Sequence, residues 1–277
     1  MTYGWAILII AIVLVALVSL GVFSPHIATQ APGSCSITRN VYGGAEFSGA
    51  CTSLPPQFVA DIGPSTSDQI IVNYEFFQGD SFTILAWVYW PPGTNLASGP
   101  YRDIGYAWSG PPSTDNGFGI FSRSDSWYLN FFADDLSCST GPVAGKWYQF
   151  GASWNSNTKL QTIWVNGAGS CNRTSNGDLI TNTPLYIGSP TSTWDSGNGG
   201  EDGGYLSNIQ IYNTSLSQPE IQALYQEGIG GVPINLRNLV GWWPLNGNAQ
   251  DYSGNGNNGA ATNVIYISNW YSNYVQP

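Results

Sequence analysis

The chain has 277 residues, 42% of them hydrophobic, 14% aromatic and only 9% charged, with a net charge of −10. An acidic surface of this kind repels phosphate, so neither nucleic acid nor an anionic lipid headgroup is expected to bind through charge. The 34 glycines and 12 tryptophans suit short strands and tight turns better than a helical bundle.

Residues 5–23 (WAILIIAIVLVALVSLGVF) are an unbroken apolar run, and the first charged residue of the chain is Arg39. As a helix the run would extend about 28 Å, close to the hydrocarbon thickness of a bilayer. A cleaved secretory signal needs a basic n-region and a small-residue cleavage site. Met1–Gly4 has no Lys or Arg, and Ser24-Pro25-His26 follows the run, which disfavours that reading. A membrane anchor would place Tyr3 and Trp5 at one interface and stop at Pro25, but no basic flank fixes its topology. A helix apolar all round must be buried all round, in lipid or among copies of itself. Trp5, Ile9, Ile12, Ala16, Leu20 and Phe23 are the positions expected to carry that burial.

Residues 26–34 read as a linker, which takes the only histidine, His26, out of any site. Residues 35–277 read as one β domain. Strand-like runs fall at 82–90, 103–108, 117–123, 127–133, 146–154, 162–167, 184–188, 205–213, 239–245 and 263–267. Gly, Asn, Asp or Pro separates them, the pattern of an antiparallel sandwich. One short helix interrupts them. Ser217-Gln218-Pro219-Glu220 is a capping box, Ile221, Leu224 and Tyr225 are its apolar face, and Gly228 ends it.

Cys35, Cys51, Cys138 and Cys171 lack zinc-type spacing, and in an exported chain an even count points to two disulfides. Three pairings exist; Cys35–Cys51 with Cys138–Cys171 is preferred, because it closes one Gly-rich excursion and ties the strand ends of a hairpin. Asn172-Arg173-Thr174 and Asn213-Thr214-Ser215 are glycosylation sequons, which also fit export.

Two resemblances bear on function. MTYGWAILIIAIVLVALVSLGVFSP resembles the N-terminal helix of archaeal type IV pilin-like proteins. That implies a helix held in the membrane before assembly and then packed with copies of itself in a filament core. GDSFTILAWVYW, GKWYQFGASWNSNTKLQTIWVNG and YLSNIQIYNTSLSQPEIQALYQEG resemble, in that order, a concanavalin A-like, laminin-G-type domain. This implies a two-sheet jelly roll preceded by the long apolar helix. LVGWWPLNGNAQDYSGNGNNG is also an element of that family, where it usually opens the domain. Here it stands at the C-terminus. Either the domain is permuted, with 239–267 completing the sheets, or a second repeat begins and is not completed.

No carboxylates are spaced for glycoside hydrolysis, and Asp134-Asp135 and Glu201-Asp202 are adjacent pairs whose neighbours point to opposite faces. Without a histidine in the domain no Ser-His-Asp set can form, so no enzyme is expected. Calcium is the one cofactor considered. Asp251, Ser253, Asn255 and Asn257 alternate oxygen-bearing side chains as a calcium loop does, although an Asx- and Gly-rich turn gives the same pattern. A sugar would stack on an aromatic face, and Trp108, Trp127 and Trp194 lie near loops. The expected function is the structural subunit of an extracellular pilus-like filament whose head binds glycans or cells, with a membrane-anchored surface lectin as the alternative.

Overall fold

Short apolar runs broken by Gly, Asn and Asp fold as strands joined by tight turns. The computed structural model describes residues 35–277 except 41–43, 50, 52–54, 64, 66, 97–101, 109–113, 124 and 189–203, and the backbone only for 102–108 and 272. The described strands are β1 (Ser36–Arg39), β2 (Ala45–Ser48), β3 (Val59–Ile62), β4 (Gln69–Val72), β5 (Phe82–Tyr89), β6 (Arg102–Trp108), β7 (Gly117–Arg123), β8 (Ser126–Asn130) and β9 (Leu136–Cys138). They continue as β10 (Trp147–Asn155), β11 (Leu160–Val165), β12 (Ala168–Thr174), β13 (Leu185–Gly188), β14 (Gly204–Tyr212), β15 (Leu239–Trp243), β16 (Gly259–Thr262) and β17 (Ile265–Ile267), with helix α1 (Gln218–Gln226) after β14.

Apart from the β1–β2 hairpin, these strands make two antiparallel sheets. One has eight strands, in the order β12-β11-β10-β5-β14-β3-β17, with β15 also paired to β14. The other has seven, in the order β16-β4-β13-β6-β7-β8-β9. Their inner faces share a core in which Phe77 stacks on Phe118 at 3.9 Å between centroids and Trp127 packs on Phe150 at 4.2 Å. Each such buried ring contributes roughly 1.5–3 kcal/mol. The family-like element at 239–267 belongs to this core. Trp243 lies opposite Ile209 on β14, β16 pairs with β4, and β17 pairs with β3, so both sheets take strands from it.

The central strands of the eight-stranded sheet are buried on both faces. Leu85, Trp87 and Tyr89 alternate away from the core and pack under α1 and the segments 229–236 and 270–274. The Ser217 N–H and Oγ both donate to Glu220 Oε2, at 2.8 and 2.7 Å, and Asn235 donates to Oε1. Burial opposes ionisation of Glu220, but these hydrogen bonds outweigh it and hold its carboxyl below the usual range. Gly228, at φ +79°, closes the helix.

The fold class expected from the sequence needs a correction. The mainly β sandwich is present, but among the described residues the only α-helix is the nine-residue α1, and no helix is long and apolar enough to cross a membrane. Trp5, Ile9, Ile12, Ala16, Leu20 and Phe23, with the linker 26–34, lie outside the described residues. The architecture of the described residues is a sandwich with one short surface helix.

Both preferred disulfides are formed. Cys35–Cys51 spans 16 residues and Cys138–Cys171 spans 33. The second joins β9, an edge of the seven-stranded sheet, to β12, an edge of the eight-stranded sheet. In the chain-entropy model these bridges stabilise by about 3 and about 4 kcal/mol.

Candidate functional site

The tryptophans are interior residues. All nine whose side chains are described are buried, among them Trp127, which is 1% exposed. Strand β8 starts at Ser126, so Trp127 faces the core and cannot offer its ring to a sugar. Of the other two expected platforms, Trp108 ends β6 as described backbone, and Trp194 lies outside the described residues.

The 251–257 loop does not fit a cation. Asp251 Oδ1 accepts from Trp242 N (3.0 Å) and Ser253 N (2.8 Å), and Oδ2 from Ser253 Oγ and Asn257 N (both 2.9 Å). Its lone pairs are therefore committed to donors of the loop itself. Asn255 and Asn257 turn their amide nitrogens to the carbonyls of Leu239 and Val240, with Ser253 Oγ also bonded to Val240 O. Among the described residues no cluster of acids, Cys and His has the makings of a metal site. The alternation that suggested calcium is an Asx turn fastened to β15.

A second acidic group closes one edge of the sandwich. Asp134 is fully buried, and its Oδ1 accepts from Arg173 Nη2 and, at 2.9 Å, from Asn176 Nδ2; its Oδ2 accepts from Asn176 N. Arg173 belongs to β12, so the ion pair spans the two sheets. Asp115, in the left-handed region at φ +64°, brings its carboxyl against that of Asp134. Burial, then the negative charge of Asp134, push Asp115 up to about 6. Burial also raises Asp135, against a bond from Phe131 N.

The outer face of the seven-stranded sheet differs from its partner, because no described helix packs on it. Register places Ala260, Ile71, Tyr186, Tyr106, Gly119 and Asn130 in one cross-strand row. In the next row Phe121 opposes Tyr128, with rings stacked at 5.2 Å and 12°. Phe121 leans over Gly119, where an added Cβ would lie 3.0 Å from its ring. Tyr128 and Tyr186 are half-exposed. Three strand spacings separate them, about 14 Å. Phe121 itself is buried, 4% exposed, so the rings this face offers are those of Tyr128 and Tyr186, with polar groups at the rim. Sequence reasoning passed over these tyrosines in favour of tryptophan. The available signal was alternation: in SWYLN and LYIG the tyrosines face opposite to Trp127, Leu129, Leu185 and Ile187.

Both sequon asparagines are exposed, Asn172 on edge strand β12 and Asn213 just after β14.

Two antiparallel sheets in this order define a jelly-roll lectin-type sandwich. A family model described as the concanavalin A-like lectin/glucanases superfamily matches residues 64–222, more than half of the chain, and the chain belongs to that family. Among solved structures, a Bacteroides ovatus protein described as carbohydrate-binding is similar at TM-score 0.56 and 14% identity, over 78% of this chain and 60% of that one. A heptameric SAP-like pentraxin of Limulus polyphemus is similar at TM-score 0.52 and 16% identity, over 79% of this chain and 99% of that one. Identities this low speak for the fold alone, and the chain spans less than two thirds of the Bacteroides protein. No curated protein sequence matches.

Proposed function

We propose that this domain is a non-catalytic carbohydrate-binding module of an exported surface protein, which takes an extended neutral glycan across the outer face of the seven-stranded sheet. The observation that carries the reading is the pair of half-exposed rings on that face, Tyr128, which is backed by the buried Phe121, and Tyr186, in a domain whose described tryptophans are all interior. Pyranose rings stack on aromatic faces, and the rim supplies hydrogen-bonding groups such as Asn130 and Ser137. Membership of a lectin family and the carbohydrate-binding description of the Bacteroides protein support it. The net charge of −10 favours a neutral glycan over a sulfated or sialylated one. Two disulfides and two exposed sequons support an extracellular setting.

Hydrolysis is disfavoured by geometry. Asp115 and Asp134 touch each other, whereas a retaining pair stands about 5 Å apart and an inverting pair further. Asp134 is also locked in its ion pair. The filament and membrane-anchor readings rest on residues 1–25; nothing among the described residues supports either, and neither is part of the proposal. The test is a glycan array probed with the full chain. Binding to neutral oligosaccharides is expected, and a folded chain that binds none would overturn the reading.

A further inference from the structure

We propose that Asp115 and Asp134 share a proton and form an acid-dependent clasp at one edge of the sandwich, closed when the proton is bound and loosened when it leaves. The carboxyls it joins lie in the turn before β7 and the turn between β8 and β9, and Asp134 in turn holds residues 173–176. Asp115 N donates to Phe131 O at 2.8 Å, and Asp115 O accepts from Ile180 N at 3.2 Å, so the backbone of Asp115 ties the end of β8 to the segment before β13. Its side chain lies against Gly177, where an added Cβ would fall 2.2 Å from Oδ2. Asp115 Oδ1 is buried and accepts no hydrogen bond. Asp134, by contrast, accepts from Arg173 and from the main chain and side chain of Asn176.

Two carboxylates in contact, one with a buried oxygen lacking a donor, hold together more tightly with a proton between them. Protonated, Asp115 donates to Asp134. Ionised, it faces the charge of Asp134. The other charged groups around it do not resolve the conflict. Asp178 is negative and paired with Lys159, Asp135 is negative, and Arg173 is committed to Asp134. The raised pKa of Asp115, about 6, places the change in the mildly acidic range. Asp115 stands two residues before Gly117, the first residue of β7, so the clasp sits at the root of a strand of the aromatic face. The inference does not depend on what that face binds.

Amide hydrogen exchange of the full chain in chelator, at pH 5 and pH 7.5 and corrected for intrinsic rates, reads the clasp at Asn176 and Ile180. Protection there is expected to fall about fivefold at the higher pH, the equivalent of one screened charge contact. The Asp115→Asn variant, whose amide donates to Asp134 at any pH, should show no fall. Equal protection of the wild type at both pH values, or the same fall in the variant, would overturn the proposal. Should the variant not fold, the carboxyl titration of Asp115 in the wild type decides: a midpoint near 6 supports the clasp, and one near 4 overturns it.

Discussion

Asp251 is expected to be the keystone of the 248–258 loop, and removing its carboxylate measures that directly. It accepts four hydrogen bonds, from Trp242 N, Ser253 N, Ser253 Oγ and Asn257 N. A bond to an ionised acceptor contributes roughly 1.5–3 kcal/mol, and water replaces part of that in a half-exposed loop. In Asp251→Ala the donor that suffers most is the Trp242 amide, in the strand that packs under α1. The net loss should be about 3 kcal/mol, a drop in Tm of about 6–12 °C for a domain of this size. Asp251→Asn retains one acceptor oxygen and loses the two bonds to the other, so its drop should be about half as large. Thermal unfolding followed by circular dichroism gives both values. The same melts with chelator and with added calcium should coincide, since the carboxylate has no free lone pairs. A resident cation would raise Tm by mass action. An Asp251→Ala variant as stable as the wild type, or a calcium-dependent rise in Tm that Asp251→Ala abolishes, would refute the reasoning.

Other outcomes follow from the same structure. Replacing Cys138 and Cys171 by Ala unties β9 from β12, and urea unfolding should show a loss of about 4 kcal/mol in the entropic model. Trp127→Ala opens a cavity beneath the seven-stranded sheet, and the same assay should show a loss of about 3–5 kcal/mol. Stability should also depend on pH through Asp115. Its folded pKa of about 6 lies above the ordinary value of about 4 for an aspartate, so the folded state holds the proton more tightly. Stability is therefore greatest below pH 4 for this group and declines as pH rises through 6, by about 1 kcal/mol once solvent screening is allowed for. Asp61 and Asp135, both raised chiefly by burial, act in the same direction, so the difference between wild type and Asp115→Asn across pH 4–7 isolates the one group.

How far the sequence was legible depended on where each segment sits. FTILAWVY is apolar at nearly every position because β5 is covered on both faces, and composition was enough to find it. AGSCNRT was missed, because β12 is an exposed edge strand with no apolar face to show. GAAT and VADI are four-residue strands held by their partners rather than by their own pattern. The short helix was readable to within a residue, since a capping box and Gly228 are local signals. The long apolar helix, so plain in residues 5–23, is not an element of the described structure. The site was harder. Alternating Asp, Ser and Asn looks the same in an Asx turn as in a calcium loop, and only the donors facing Asp251 separate the two. The exposed aromatic pair draws on residues 128 and 186, which lie on strands far apart in the chain, and no local window joins them. Tryptophan was the wrong cue because burial, in the sandwich core or in the layer on the far face of the eight-stranded sheet, accounts for every described tryptophan here.

The central claim is that a glycan lies on the outer face of the seven-stranded sheet. The most direct measurement is calorimetric affinity of the full chain for its best neutral glycan, comparing wild type with the Tyr128→Ala/Tyr186→Ala double variant. Each ring should contribute about 1 kcal/mol of stacking, so the double variant should bind about 10- to 30-fold more weakly. Its Tm should stay within about 2 °C of the wild type, because both side chains stand outside the core. Unchanged affinity in a folded double variant would contradict the claim.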